Sequence, residues 1–216
     1  MGAGIAQVLS DVGKYNVTLS DVTDKALQNG QAIIAKSLQR IAKKKMADKS
    51  AEEQEQFVKG VVDSIKVTTD PAEAVESTDL VIEAIAERMD WKLDLYRRIA
   101  DHVAPHALVA SNTSGLSITK LSEALPEALK SRFCGIHFFN PAPVMKLVEV
   151  INHPTTGQDV LDTVRNLCAK TRKVAVSCAD RSGFIVNALL FPYLNDAIKA
   201  HEEGAELDAI DGAITE

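Results

Sequence analysis

Short apolar runs alternate with helical patterns over most of this chain, and that alternation limits the fold more than any other feature. The runs fall at residues 16–21, 66–69, 80–84, 107–110, 133–138, 147–151 and 174–178. Helical patterns separate most of them. Ile5, Val8, Leu9 and Val12 recur at i, i+3, i+4 and i+7 and predict an amphipathic helix stopped by Gly13. A long helix is predicted over 24–46, with Leu27, Ile34, Leu38 and Ile41 on one face. Ser50 and Glu53 form a capping box for the next helix. Strand and helix in alternation predict an α/β fold, a mostly parallel sheet covered on both faces. The segment ADRSG (179–183) reads as a linker. Beyond it the strand signals stop, and helices are predicted over 184–203 and again from Leu207. The chain therefore divides into an α/β unit, 1–180, and the start of an all-α unit, 181–216.

The bulk properties narrow the function. Net charge is −6, which argues against a general nucleic-acid grip. No apolar run reaches the length of a membrane span. Cys134, Cys168 and Cys178 are odd in number and lack metal-ligand spacing, so they read as reduced core thiols of an intracellular protein, and no metal site is expected.

The sharpest chemistry lies in GIHFFNPAPVMKLVEV (135–150). His137 and Glu149 each sit in a run that reads as a buried strand, and a buried ionisable group needs a partner. Each is the simplest partner for the other. A carboxylate-held imidazole is a good general base; the same pair also reads as a structural element of a core. MGAGIAQ opens a helix with Gly2 and Gly4, and Asp21 closes the next strand, an arrangement that suits ribose binding in a dinucleotide fold or simply a capped turn. Glu87 and Lys92 follow a strand's carboxyl end, where ligands bind in open α/β sheets, or where an exposed ion pair forms. SNTSG (111–115) is a helix cap or a site. Asn140 precedes Pro141 in a turn. Ser37 and Lys44 share one face of the long helix, beside Lys43 and Lys45, either as a solvated face or as a perch for a phosphorylated ligand. Asn187, in the apolar stretch GFIVNALLF, reads as a buried amide that bonds a neighbouring helix or faces the site across the linker.

In this order MGAGIAQ, NVTLSD, EAIAE, SNTSG, GIHFFNPAPVMKLVEV and DRSGFIVNALLFPYL resemble the NAD-dependent L-3-hydroxyacyl-CoA dehydrogenases of fatty-acid β-oxidation and related butyrate pathways. The resemblance implies a Rossmann-like NAD-binding domain over 1–180 and oxidation of an L-3-hydroxyacyl-CoA to the 3-ketoacyl-CoA. It implies His137 as general base with Glu149 as its orienting partner, and Ser114 and Asn187 on the reacting part of the substrate. Gly2, Asp21, Glu87, Lys92, Ser114 and Asn140 would line the NAD site, and Ser37 and Lys44, with Ser114, would contact the acyl-CoA. A homodimer is implied for the full-length protein, in the cytoplasm of a bacterium or the mitochondrial matrix.

Family members also carry a strand and glycines ahead of the position of Met1, and further helices past Glu216. The expectation is a chain trimmed at both ends, with two strand edges left unpaired where a central strand would lie. Two alternatives accompany the enzyme reading: one module of a multifunctional β-oxidation protein, or a non-catalytic chain.

Overall fold

The computed structural model describes residues 1–215. Helix α1 (Gly2–Gln7) runs on as a π-helical segment, Val8–Val12, so the helix expected over 2–12 changes its winding half-way and ends at Gly13. Strand β1 (Val17–Ser20) leads into α2 (Asp24–Lys45). Thr23 caps α2 by accepting the N–H of Ala26, and Lys43, Lys44 and Lys45 sit in its last turn, where cations oppose the helix dipole. Helix α3 (Ala51–Ser64) opens on the expected capping box: Ser50 Oγ accepts from Glu53 N, and Glu53 accepts from Ser50 N. Strand β2 (Ile65–Thr68), α4 (Pro71–Val75), β3 (Leu80–Glu83), α5 (Met89–Ile99) and β4 (Leu108–Ser111) follow. Short helices α6 (Ile118–Ser122) and α7 (Glu127–Lys130) lead to β5 (Phe133–Phe138). Then come β6 (Leu147–Asn152), α8 (Gln158–Lys170) and β7 (Val174–Ala179), and finally α9 (Val186–Glu202) and α10 (Leu207–Thr215).

The strands form two sheets. One is the parallel pair β1–β2; the other runs β3-β4-β5-β6-β7 and is parallel except at β5–β6. That exception has a simple cause. Parallel neighbours need a crossover of about a dozen residues or more, and the segment 139–146 is too short to supply one. An antiparallel return is what remains, and it sets His137 directly opposite Glu149.

Three apolar clusters hold the layers. Tyr96, Ile99, Ile118, Leu121 and Phe133 pack α5 and α6 against one face of the larger sheet. Ile5, Val160, Val164 and Cys168 pack α1 and α8 against the other. Ile34, Leu38, Val58 and Ile65 join α2 and α3 to the smaller sheet. Gly135 is required by packing: a Cβ there would lie 2.9 Å from Ile118 Cδ1 and from Ile151 Cβ. All three cysteines are free; Cys134 and Cys168 are buried as expected, and Cys178 is only partly so.

β1 pairs only with β2, and β3 only with β4, so their facing edges carry no ladder partner. Between them lies a cleft of about 1820 Å³, lined by residues of both edges and flanked by α5 and α8. The chain is thus α/β with a mostly parallel sheet and a helical C-terminal part, and the two strand edges expected to lack a partner are those of β1 and β3. No helix among the described residues is long and apolar enough to cross a membrane.

Candidate active site

A smaller cavity of about 550 Å³ opens at the carboxyl ends of β3, β4 and β5. It is lined by the β3–α5 loop from Ala84 to Glu87, by Asn112 and Ser114 after β4, by His137 to Asn140, and by Met1 and Asn187. The larger cleft has more volume, but it is the smaller one that His137 borders.

His137 Nδ1 lies 2.8 Å from Glu149 Oε2 across the antiparallel ladder, and the two side chains are 8% and 1% exposed. The carboxylate takes up Nδ1–H, which leaves Nε2 as the basic nitrogen. Among the described residues Nε2 has no hydrogen-bond partner, and the ring borders the cavity. Phe139 and Phe184 pack beside the ring, with centroids 4.4 and 6.0 Å away. Glu149 does more than orient His137. Its Oε1 accepts the N–H of Ile185 and of Val186, both at 2.9 Å, at the start of α9. A carboxylate is favoured at that end of a helix.

Ser114 is exposed at the cavity, and three bonds hold it. Its N–H donates to Glu87 Oε1 at 2.8 Å, its Oγ to the same oxygen at 3.0 Å, and its carbonyl accepts from Asn187 Nδ2 at 2.9 Å. Asn187 therefore faces the site across the linker. It is only half-buried, because α9 presents most of its apolar residues to solvent instead of to a core. Partial burial would raise the Glu87 carboxyl, but bonds from Thr113 and Ser114 and the nearby Lys92 ammonium outweigh it and hold it below its ordinary value. Thr113 Oγ1 donates to Glu87 at 2.5 Å.

Lys92 does not line the cavity. Its residue is fully buried, with the ammonium 2.6 Å from Glu83 Oε1 and 3.4 Å from Glu87 Oε2, so it stands behind the wall that Glu87 faces. The alternative of an exposed ion pair is excluded too. The sequence carried no signal of this burial, and the partner of Lys92 was not read. That partner is Glu83, the last residue of β3. Asp180, inside the linker, was missed as well. It accepts Ile118 N, Thr119 N and Ser117 Oγ at 3.0, 2.8 and 2.8 Å, and so ties the linker to the start of α6.

Asn140 is exposed on the cavity rim, before a cis bond to Pro141. Asp21 is exposed just past β1 and borders the large cleft with Gly2. A Cβ on Gly2 would find only ordinary contacts, 3.8 Å to Ala84 and 3.9 Å to Leu19, so packing does not demand glycine there. Ser37 is half-buried and Lys44 exposed on α2, and neither lines either cavity.

The model of the 3-hydroxyacyl-CoA dehydrogenase NAD-binding domain matches residues 1–181, and that of the 3-hydroxyacyl-CoA dehydrogenase C-terminal domain matches 183–216. The chain belongs to the 3-hydroxyacyl-CoA dehydrogenase family. Mitochondrial hydroxyacyl-coenzyme A dehydrogenase of Rattus norvegicus is 46% identical over 217 aligned residues, covering 99% of this chain and 67% of the relative. Among solved structures, M. tuberculosis FadB2 superposes with a TM-score of 0.85 at 35% identity, covering 97% of this chain and 71% of its own. The (S)-3-hydroxybutyryl-CoA dehydrogenase of Ralstonia eutropha gives 0.84 at 38%, covering 94% and 69%. Bacterial and mitochondrial proteins are thus both among the relatives. The family's enzymes are NAD-dependent oxidoreductases, and NAD is the cofactor of the matched domain. The residues present fit it: Asp21 offers an exposed carboxylate at the carboxyl end of β1, and Ser114 and Asn140 offer polar groups beyond the carboxyl ends of β4 and β5 in the other sheet.

Proposed function

We propose that the chain oxidises an L-3-hydroxyacyl-CoA to the 3-ketoacyl-CoA, with His137 as general base. The observation that carries this is the His137–Glu149 pair on the same cavity as Ser114, Asn140 and Asn187. When bound, NAD supplies the hydride acceptor. His137 Nε2 takes the proton of the substrate's 3-hydroxyl, and in reduction returns it to the carbonyl oxygen. Glu149 carries the countercharge of the imidazolium that forms. Ser114 Oγ, turning its proton from Glu87 to the substrate while its N–H stays on Glu87, and the second N–H of the Asn187 amide hold the reacting oxygen in line with the base, and such positioning supplies much of the acceleration. Glu87, kept ionised by its donors, fixes Ser114 for that task. Asp21 takes the ribose hydroxyls and opposes a 2′-phosphate, which favours NAD over NADP. Ser37 and Lys44 on α2 serve the coenzyme A phosphates at a distance from the cavity. Residues 1–180 form the NAD unit and 181–216 the start of a helical unit. A homodimer is proposed for the full-length protein.

The test is acetoacetyl-CoA-dependent oxidation of NADH, followed by absorbance. Turnover with NADH and little with NADPH is expected, and in the reverse direction the L-3-hydroxybutyryl-CoA enantiomer is oxidised in preference to the D form. A protein that binds NADH and acetoacetyl-CoA without turnover would remove the catalytic reading.

A further inference from the structure

Behind the β3–α5 loop that lines the smaller cavity stands Glu83. This residue ends β3 and its side chain is completely buried. Every acceptor position of its carboxylate is used. Oε1 accepts Lys92 Nζ at 2.6 Å and Ile85 N at 2.8 Å; Oε2 accepts Ser111 Oγ at 2.7 Å and Tyr96 Oη at 3.1 Å. Four donors from β4, α5 and the β3–α5 loop thus converge on one anion, which fills its capacity. The carbonyl of Glu83 also accepts Asn112 N at 2.7 Å.

We infer that Glu83 is the positioning residue of the cofactor site, acting through Lys92 and Glu87 on Ser114. The inference rests on the proposed function, which places Glu87 and Ser114 at the cofactor. The Lys92 ammonium lies between two carboxylates, at 2.6 Å from Glu83 and 3.4 Å from Glu87. Glu83 takes the closer bond and so sets where the ammonium rests. From there the ammonium steadies Glu87 Oε2 without drawing the other oxygen off Ser114. Glu83 also holds the peptide of Ile85 in the loop that lines the cavity. If its charge is removed, the ammonium keeps only Glu87 as a counter-ion. It then pulls Glu87 inward, and the bonds from Ser114 N and Oγ are lost.

The experiment is a fluorescence titration of NADH on the parent chain, Glu83→Gln, and the double variant Glu83→Gln/Lys92→Met, with a thermal melt of each. The double variant removes both buried charges together and so relieves the unpaired ammonium. Glu83→Gln is expected to weaken NADH binding tenfold or more and to lower Tm. The double variant is expected to regain most of the Tm but not the NADH affinity, because Glu87 Oε2 then has no ammonium 3.4 Å away to steady it, a split that a purely structural role would not give. Recovery of both properties, or NADH affinity within twofold of the parent in either variant, would overturn the inference. Should Glu83→Gln fail to fold, the double variant decides alone. A parent that binds no NADH would instead strike the proposed function itself, which separates the two failures.

Discussion

At the scale of single residues, His137 and Glu149 divide one task. His137→Gln removes the base while keeping a hydrogen-bonding side chain of similar reach. It is expected to lower kcat by about 10²- to 10⁴-fold while NADH affinity, titrated by fluorescence, stays near that of the parent. Glu149→Gln keeps the shape and removes the countercharge; a loss of kcat on the order of 10²-fold or more is expected. Unchanged rates in either variant would return the pair to a structural role. Glu87 contributes in a pH-dependent way. Its folded-state pKa lies below the ordinary 4.5, so its stabilisation is fully present above that value and is lost as pH falls through the lower, folded one. Thermal melts between pH 6 and pH 3 should show the parent losing more stability than Glu87→Gln over that acid range. Parallel curves for the two proteins would show that Glu87 does not carry the effect.

Among elements, the antiparallel β5–β6 pair positions the chemistry, and it depends on close packing at Gly135. Gly135→Ala forces a methyl against Ile118 and Ile151 at 2.9 Å. Overpacking of this kind costs about 1–3 kcal/mol, readable as a shift in urea midpoint with little change in slope. Gly183 is constrained differently. It adopts φ +74°, and a Cβ there would lie 2.9 Å from Ala188 N, so the chain turns from β7 into α9 through a residue without a side chain. Strands and helices were legible in the sequence because short apolar runs and helical periods alternate; β5, buried at every position, lies at 133–138 where its apolar run predicts it. The pairing of His137 with Glu149 was legible too, because two buried ionisable groups a short return apart have few other partners. Lys92 and Glu83 were not. A lysine after a strand looks the same in sequence whether it faces solvent or points back beneath the loop, and only the fold places Glu83 and Tyr96 around it. Asp180 was hidden for a similar reason: in a polar linker nothing marks one aspartate as the cap of a helix 62 positions earlier.

At the scale of the whole chain, the two sheets are separated by a cleft, and it lies between the two strand edges expected to lack a central partner. Asp21 stands on the β1–β2 side, while Glu87, Ser114 and Asn140 stand on the other. Neither ladder crosses that gap, so backbone hydrogen bonding does not join the two parts there. A dinucleotide with its ribose on Asp21 and its nicotinamide near Ser114 would span both, which turns a reagent into a rivet. Any ligand confined to the folded form raises stability, by about 2.7 kcal/mol at a hundredfold excess over Kd. Here the gain should be uneven as well. Hydrogen exchange with NADH present should slow along the β1 and β3 backbones more than in α8, which already lies within one half. Uniform slowing would mean that the halves move together without the ligand. If the slowing is uneven, the cofactor holds the two halves in register for the reaction it also takes part in.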